Sequence, residues 1–323
     1  MEFFSHEDSR IQYIGRWASY GSSATATAVG SRFTLGFSGE QAVLRFDVNF
    51  LQSPAPHLYI QVDGGAMVES TLERYIRIHT MPGQHTVRVI LKSMVEMFPR
   101  WHTPLTNRIS FEGVEADALH ELPPETGKVL EVVGDSITEG VLIDADHTPL
   151  GRDQYDRPFQ DDVTATYGWL TAEKLGLIPW IMGYGAVGVT KGGCGGVVRA
   201  ADAYPYCFDG APIAADRHPD YVLVNHGTND SGASAEAFRE GYTALLDAIR
   251  AVHPQAKIFA MSVFCGSHEQ DLEALIPAYN AAHGDHIVFV NGSHWLPVQP
   301  IHPLRDGHRL AAEKLTEVLR PLL

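Results

Sequence analysis

"EVVGDSITEG", residues 131–140, starts as a buried strand and ends as something else. The apolar run "KVLEVVG" (128–134) stops at Gly134-Asp135-Ser136, and a helix-like segment follows. Two readings compete for Ser136. In the first, Ser136 or Thr138, followed by Glu139, caps a short helix. In the second, Ser136 is a nucleophile displayed just past the end of a strand. The rest of the chain decides between them.

Downstream, the pattern repeats. "PWIMGY" (179–184), "DYVLVNHG" (220–227), "AKIFAMSVF" (256–264) and "HIVFVNG" (286–292) are apolar runs of strand length, expected of strands buried on both faces. Helix-period segments separate them: "TYGWLTAEKLG" (166–176), "AEAFREGYTALLDAIRAVH" (235–253) and "EQDLEALIPAYNAAHG" (269–284), with "GHRLAAEKLTEVLRPLL" (307–323) last. Strand alternating with helix predicts a five-stranded parallel sheet covered on both sides, a three-layer α/β/α domain over 128–323. Ligands of such sheets bind beyond the carboxyl ends of the strands.

Upstream, the grammar differs. "YIGRWAS", "RFTLGFS", "QAVLRFDVNF", "HLYIQVDGG", "RYIRIHT", "HTVRVILKS" and "RISFEGV" are short, rich in aromatic and β-branched residues, and punctuated by Gly, Pro, Ser and Asp. This predicts a β-sandwich over residues 1–122. "HELPPETG" (120–127) reads as a linker, since paired prolines continue neither a ladder nor a helix.

Composition narrows the function. The 323 residues carry a formal net charge of -15, with 45% hydrophobic and 20% charged residues. Nucleic acid and anionic membrane surfaces attract basic faces, so neither is an expected partner. The three cysteines, Cys194, Cys207 and Cys265, form no CxxC pair, and the histidines show no HExxH spacing, so no metal is expected. "GYGAVG" matches GxGxxG at Gly183, Gly185 and Gly188, but it follows the second strand and runs into the loop "VTKGGCGG". A dinucleotide fingerprint sits in the first βα turn, so no cofactor is expected. The start "MEFFSHEDSR" lacks a basic region followed by an apolar run, so a cytoplasmic protein is expected.

The strand ends carry the chemistry. After the first strand comes Gly134-Asp135-Ser136; after the second, "GYGAVGVTKGG"; after the third, "HGTND" (226–230); before the last helix, "IHPLRDGH" (301–308). A hydroxyl, a glycine backbone, an asparagine amide and a histidine converge on one edge. Acyl transfer needs this set: a nucleophile, a base and fixed donors for an oxyanion.

These blocks, in this order, resemble the SGNH (GDSL) hydrolase superfamily over roughly residues 128–323. The N-terminal part, with "YIGRW" and "LYIQVDGG", resembles the jelly-roll domain that precedes the hydrolase domain in carbohydrate esterase family two. The resemblance implies Ser136 as nucleophile and first oxyanion donor through its N–H. It implies Gly188 as a second backbone donor, Asn229 as a side-chain donor, and His302 as general base. One departure stands out. The family usually has aspartate three residues before the histidine, and here that position is Gln299. Gln299 or a backbone carbonyl is expected to orient His302, with Asp306 as the alternative. His308 is expected to pack or hydrogen-bond at the start of the last helix. The insertion 142–163 is expected to shape the pocket, and Tyr155, Phe159, Trp180, Tyr204, Tyr206 and Trp295 are candidate sugar-stacking faces.

The expected function is a serine esterase that removes a short acyl group, acetyl, from a carbohydrate. Its partner would be a small-molecule or oligosaccharide ester, and the oligomeric state stays open. The alternatives are a lysophospholipase or thioesterase on longer chains, and a non-catalytic carbohydrate-binding protein whose hydrolase domain lacks the acid at 299.

Overall fold

A computed structural model of the chain describes residues 1–145, 157–214 and 218–323. Half of the insertion, residues 146–156 with Tyr155 among them, lies outside the described residues. Residues 2–120 form a curled antiparallel sheet of ten strands. Two long strands, Arg32–Phe46 and Tyr75–Ser93, make its spine and pair from Arg32↔Ile90 to Arg45↔Tyr75. The sequence suggested four strands here. The register instead breaks between Gly39 and Gln41, opposite Thr80, Met81 and Pro82, and then resumes. The break acts as a bulge that bends each strand round a corner instead of ending it. Alternate residues Phe33, Leu35 and Phe37 face a common interior with Val87, Val89 and Leu91. Phe33 stacks on Phe111 with ring centroids 4.1 Å apart.

The second sheet is parallel. Its strands, in chain order, are Val129–Gly134, Ile178–Gly183, Tyr221–Asn225, Lys257–Met261 and Val288–Val290. They lie side by side in the order second, first, third, fourth, fifth. Helices Tyr167–Lys174, Ala235–Val252, Glu269–His283 and Arg305–Leu319 cover the faces. The chain order switches direction between the first and third strands, the place at whose carboxyl ends such sheets bind ligands. Gly134 is in register with Gly183 on one side and Asn225 on the other, so the three strands stop level. A methyl on Gly134 would overlap the Thr138 side chain and meet the Asn225 carbonyl at 3.0 Å. Only glycine lets the chain turn so tightly from strand to helix there.

The two sheets share one apolar core that runs from Phe33 and Leu91 to Leu130 and Ile181. Polar groups cross the boundary as well. Glu131 sits in the middle of the first parallel strand and is fully buried. Arg16 of the N-terminal sheet meets it at 2.7 Å, and the Tyr204 hydroxyl donates to its other oxygen at 2.6 Å. The same arginine donates to the carbonyls of Tyr204 and Tyr206. Removing one partner of a buried pair strands the other charge without water. Arg16→Met is therefore expected to destabilise the protein by about 3–5 kcal/mol, read as a lowered urea midpoint at neutral pH. An unchanged midpoint would mean that Glu131 is neutral or hydrated.

Candidate active site

The turn after the first strand becomes a single helical turn, Ser136–Glu139. Asp135 is its N-cap: Asp135 Oδ1 accepts from Ile137 N–H at 2.9 Å, and Gly140 ends the turn in the left-handed conformation. The capping role thus belongs to Asp135, and Ser136 is left for another use. Its Oγ lies 2.9 Å from Nε2 of His302. The two residues are 166 positions apart in the chain. Among the described residues no acceptor meets the Ser136 N–H, as expected for a donor at a helix start.

His302 precedes the last helix in an irregular segment that is anchored from behind. Arg305 Nε donates to Asp144 Oδ1 at 2.5 Å, and its Nη2 donates to Asp162 Oδ2 at 2.7 Å. The Arg305 N–H also reaches the Ile143 carbonyl. Ion-paired with two carboxylates, the Arg305 guanidinium holds its proton above its already high range. Tyr59 of the N-terminal sheet donates to the same Asp162 oxygen at 2.9 Å. The side chain of His308 points elsewhere. It is fully buried, and its Nδ1 accepts the Tyr167 N–H at the start of helix Tyr167–Lys174. Burial pushes its pKa down to about 3, so it stays neutral.

Asn229 sits in the short 3-10 turn Thr228–Asp230 after the third strand. Its amide donates to Asp135 Oδ2 at 3.2 Å and to the Val187 carbonyl at 3.1 Å. This bond ties the turn of Ser136 to the third strand end. Burial pushes the Asp135 carboxyl up to about 7, helped by the nearby negative charges of Asp230 and Glu96 and opposed by the Ile137 N–H bond. Asp230, next in the chain, has its own partners. Its carboxylate accepts from the N–H groups of Val189 and Thr190 and from the Thr190 hydroxyl. It pins the loop after the second strand.

Three of the expected site residues are placed as follows. The Gly188 N–H, expected to be an oxyanion donor, donates to the Lys191 carbonyl at 3.0 Å, closing a turn within the glycine-rich loop. Gln299 is exposed, and no hydrogen bond joins it to His302 among the described residues. The Asp306 side chain is 92% exposed and pairs with Arg309 one turn along its helix. A carboxylate in the first turn of a helix gains from the helix dipole and from solvent, and neither draws it towards His302. Asp306→Asn is accordingly expected to cost less than about tenfold in kcat/KM, below 1.4 kcal/mol. Steady-state kinetics on an acetyl ester would check it, and a collapse would restore Asp306 as a partner of the base.

The aromatic candidates separate by burial. Trp180 and Tyr204 belong to the core. Phe159 is 55% exposed, packed edge-on against His57, and Tyr206 is 37% exposed. Trp295 is half-buried against the core. His226 is buried beside the site and neutral, its pKa lowered by burial to about 4. Cys194 is no activated thiol: its Sγ lies 3.5 Å from Met97 Sδ, and burial raises its pKa.

This geometry has relatives. The sequence profile of the GDSL-like Lipase/Acylhydrolase family matches residues 132–314, more than half of the chain. Among curated proteins none matches by sequence. Among solved structures, a family two carbohydrate esterase from Cellvibrio japonicus superposes with a TM-score of 0.81 at 20% identity, covering 99% of this chain and 97% of that one. One from Clostridium thermocellum, in complex with cellohexaose, gives 0.77 at 21% identity over 97% and 98%. An acetyl xylan esterase from the rumen bacterium Butyrivibrio proteoclasticus gives 0.76 at 17% identity over 99% and 98%. At these identities the likeness is one of fold, and it spans both sheets. With its strand-end serine facing a histidine, the chain belongs to the GDSL-like lipase/acylhydrolase family and is a carboxylic ester hydrolase.

Proposed function

We propose that the chain is a serine esterase that removes acetyl or a similarly short acyl group from a carbohydrate, with Ser136 as nucleophile and His302 as base. The observation that carries this reading is the 2.9 Å contact between Ser136 Oγ and His302 Nε2. His302 takes the hydroxyl proton as Oγ attacks the acyl carbonyl. The tetrahedral oxyanion is held by the Ser136 N–H and the Asn229 amide, and the Gly188 N–H joins only by releasing Lys191. The imidazolium then protonates the departing sugar oxygen. Water, deprotonated in turn by His302, attacks the acyl-enzyme and releases the acid.

The choice of a short acyl group is supported by the whole-chain likeness to an acetyl xylan esterase. A sugar as the alcohol is supported by the whole-chain likeness to family two carbohydrate esterases, one of them bound to cellohexaose. The test is a series of 4-nitrophenyl esters followed by acetylated oligosaccharides. Turnover is expected to fall by at least about tenfold, some 1.4 kcal/mol, from acetyl to octanoyl. The opposite order would favour a lysophospholipase or thioesterase. Failure to react with a fluorophosphonate would favour a non-catalytic sugar-binding protein.

A further inference from the structure

The sequence beyond the last long strand of the N-terminal sheet, residues 94–107, reaches across to the site. Arg100 lies in it, fully buried. Its Nη1 and Nη2 donate to the two oxygens of Glu139, at 2.5 and 2.9 Å. Glu139 is 2% exposed and is the last residue of the helical turn that Ser136 begins. The guanidinium also lies over the Tyr184 ring, 5.0 Å from its centroid. A forked two-bond grip of this kind fixes direction as well as distance.

The same segment touches the glycine-rich loop after the second strand. The Arg100 N–H donates to the Gly195 carbonyl at 3.0 Å. A methyl on Gly185 would overlap the Glu96 carboxylate, so the Gly185 backbone packs directly against the Glu96 side chain. Glu96 is itself held by Arg157 at 3.1 Å. One stretch of the N-terminal sheet domain therefore contacts two of the strand-end elements of the site.

We propose that Arg100 is a positioning residue for the nucleophile: through Glu139 it fixes the turn Ser136–Glu139 and so holds Ser136 Oγ in line with His302. The turn has only four residues, too short to hold its own direction, since isolated helices of that length are unstable in water. Its far end must be gripped from outside, and Arg100 is what grips it. The N-terminal sheet domain is then part of the catalytic apparatus, supplying the cation that lets Glu139 be buried behind the nucleophile. This inference rests on Ser136 being the nucleophile.

The test uses the full chain with Arg100→Lys, Glu139→Gln and the neutral double variant Arg100→Gln/Glu139→Gln. Endpoint labelling with a fluorophosphonate counts folded sites, and the labelling rate reads the alignment of the serine. Displacement of a reacting atom by about 1 Å costs on the order of 10²-fold. The expected result is near-stoichiometric labelling, kcat per labelled site lowered by roughly 10–100-fold, KM within about threefold, and a labelling rate lowered in step with kcat. The double variant is expected to recover thermal stability without recovering kcat. A purely structural ion pair would change the number of active sites but not the rate per site. Wild-type kcat and labelling rate per site in Arg100→Lys or Glu139→Gln would overturn the proposal, and so would full recovery of kcat in the double variant. If Arg100→Lys does not fold, the near-isosteric Glu139→Gln decides. Ser136→Ala run alongside separates the two ideas. Activity retained there sinks the assignment of the nucleophile; activity lost there, with full rates in the Arg100 and Glu139 variants, sinks only the positioning role.

Discussion

Ser136→Ala is expected to lower kcat on an acetyl ester by at least about 10³-fold without unfolding the protein. The serine side chain is small and makes its contact with His302, at 2.9 Å, while the cap of its helical turn is supplied by Asp135. Deleting the hydroxyl therefore removes chemistry and leaves the local structure its hydrogen bonds. His302→Ala is expected to match it, because nucleophile and base act as one unit and the second loss adds little to the first. His308 cannot take over, since its Nδ1 accepts the Tyr167 N–H and burial keeps it neutral. The check is steady-state kinetics on purified variants, with circular dichroism and urea unfolding alongside. A Ser136→Ala protein with most of its activity would remove the serine from the mechanism. A His302→Ala protein at full rate would remove the base.

The second large effect concerns Asn229. In Asn229→Ala, kcat should fall by about 10²–10³, the usual loss when one preorganised oxyanion donor is removed. KM should change little, because the donor acts as charge develops and not on the neutral ester. The structure adds a detail. Both amide hydrogens already have protein acceptors, Asp135 Oδ2 and the Val187 carbonyl, at 3.2 and 3.1 Å. An oxyanion is a stronger acceptor than the Val187 carbonyl, so a charge developing there would compete with it for the amide hydrogen. Asn229→Asp presents an acceptor instead and faces Asp135 with a second carboxylate, so it should be at least as damaging as alanine. A raised KM with an unchanged kcat in Asn229→Ala would make the residue a substrate contact.

Much of the molecule was legible along the chain. The parallel sheet followed from five apolar runs alternating with helix-period segments, and the strand ends named Ser136, Asn229 and His302 before any contact was visible. Both signals are local. Side-chain period and turn chemistry are decided by neighbours a few residues apart. The bent strands Arg32–Phe46 and Tyr75–Ser93 were harder, because a bulge and a strand end use the same residues, glycine and proline, and only the partner strand tells them apart.

What the sequence by itself determined was the order of the two sheets, the edge where chemistry gathers, and the residue types available there. The tertiary structure alone decided which groups are in use. It directed the Gly188 N–H to Lys191, turned Asp306 to solvent with Arg309, and gave Asp135 the cap that Ser136 was a candidate for. It also paired Arg16 with Glu131 and Arg100 with Glu139, across 115 and 39 residues. No periodicity announces such pairs. A buried charge requires some partner, since solvating it in a low-dielectric interior is costly, but its identity depends on which chain segments the fold brings within 3 Å of it.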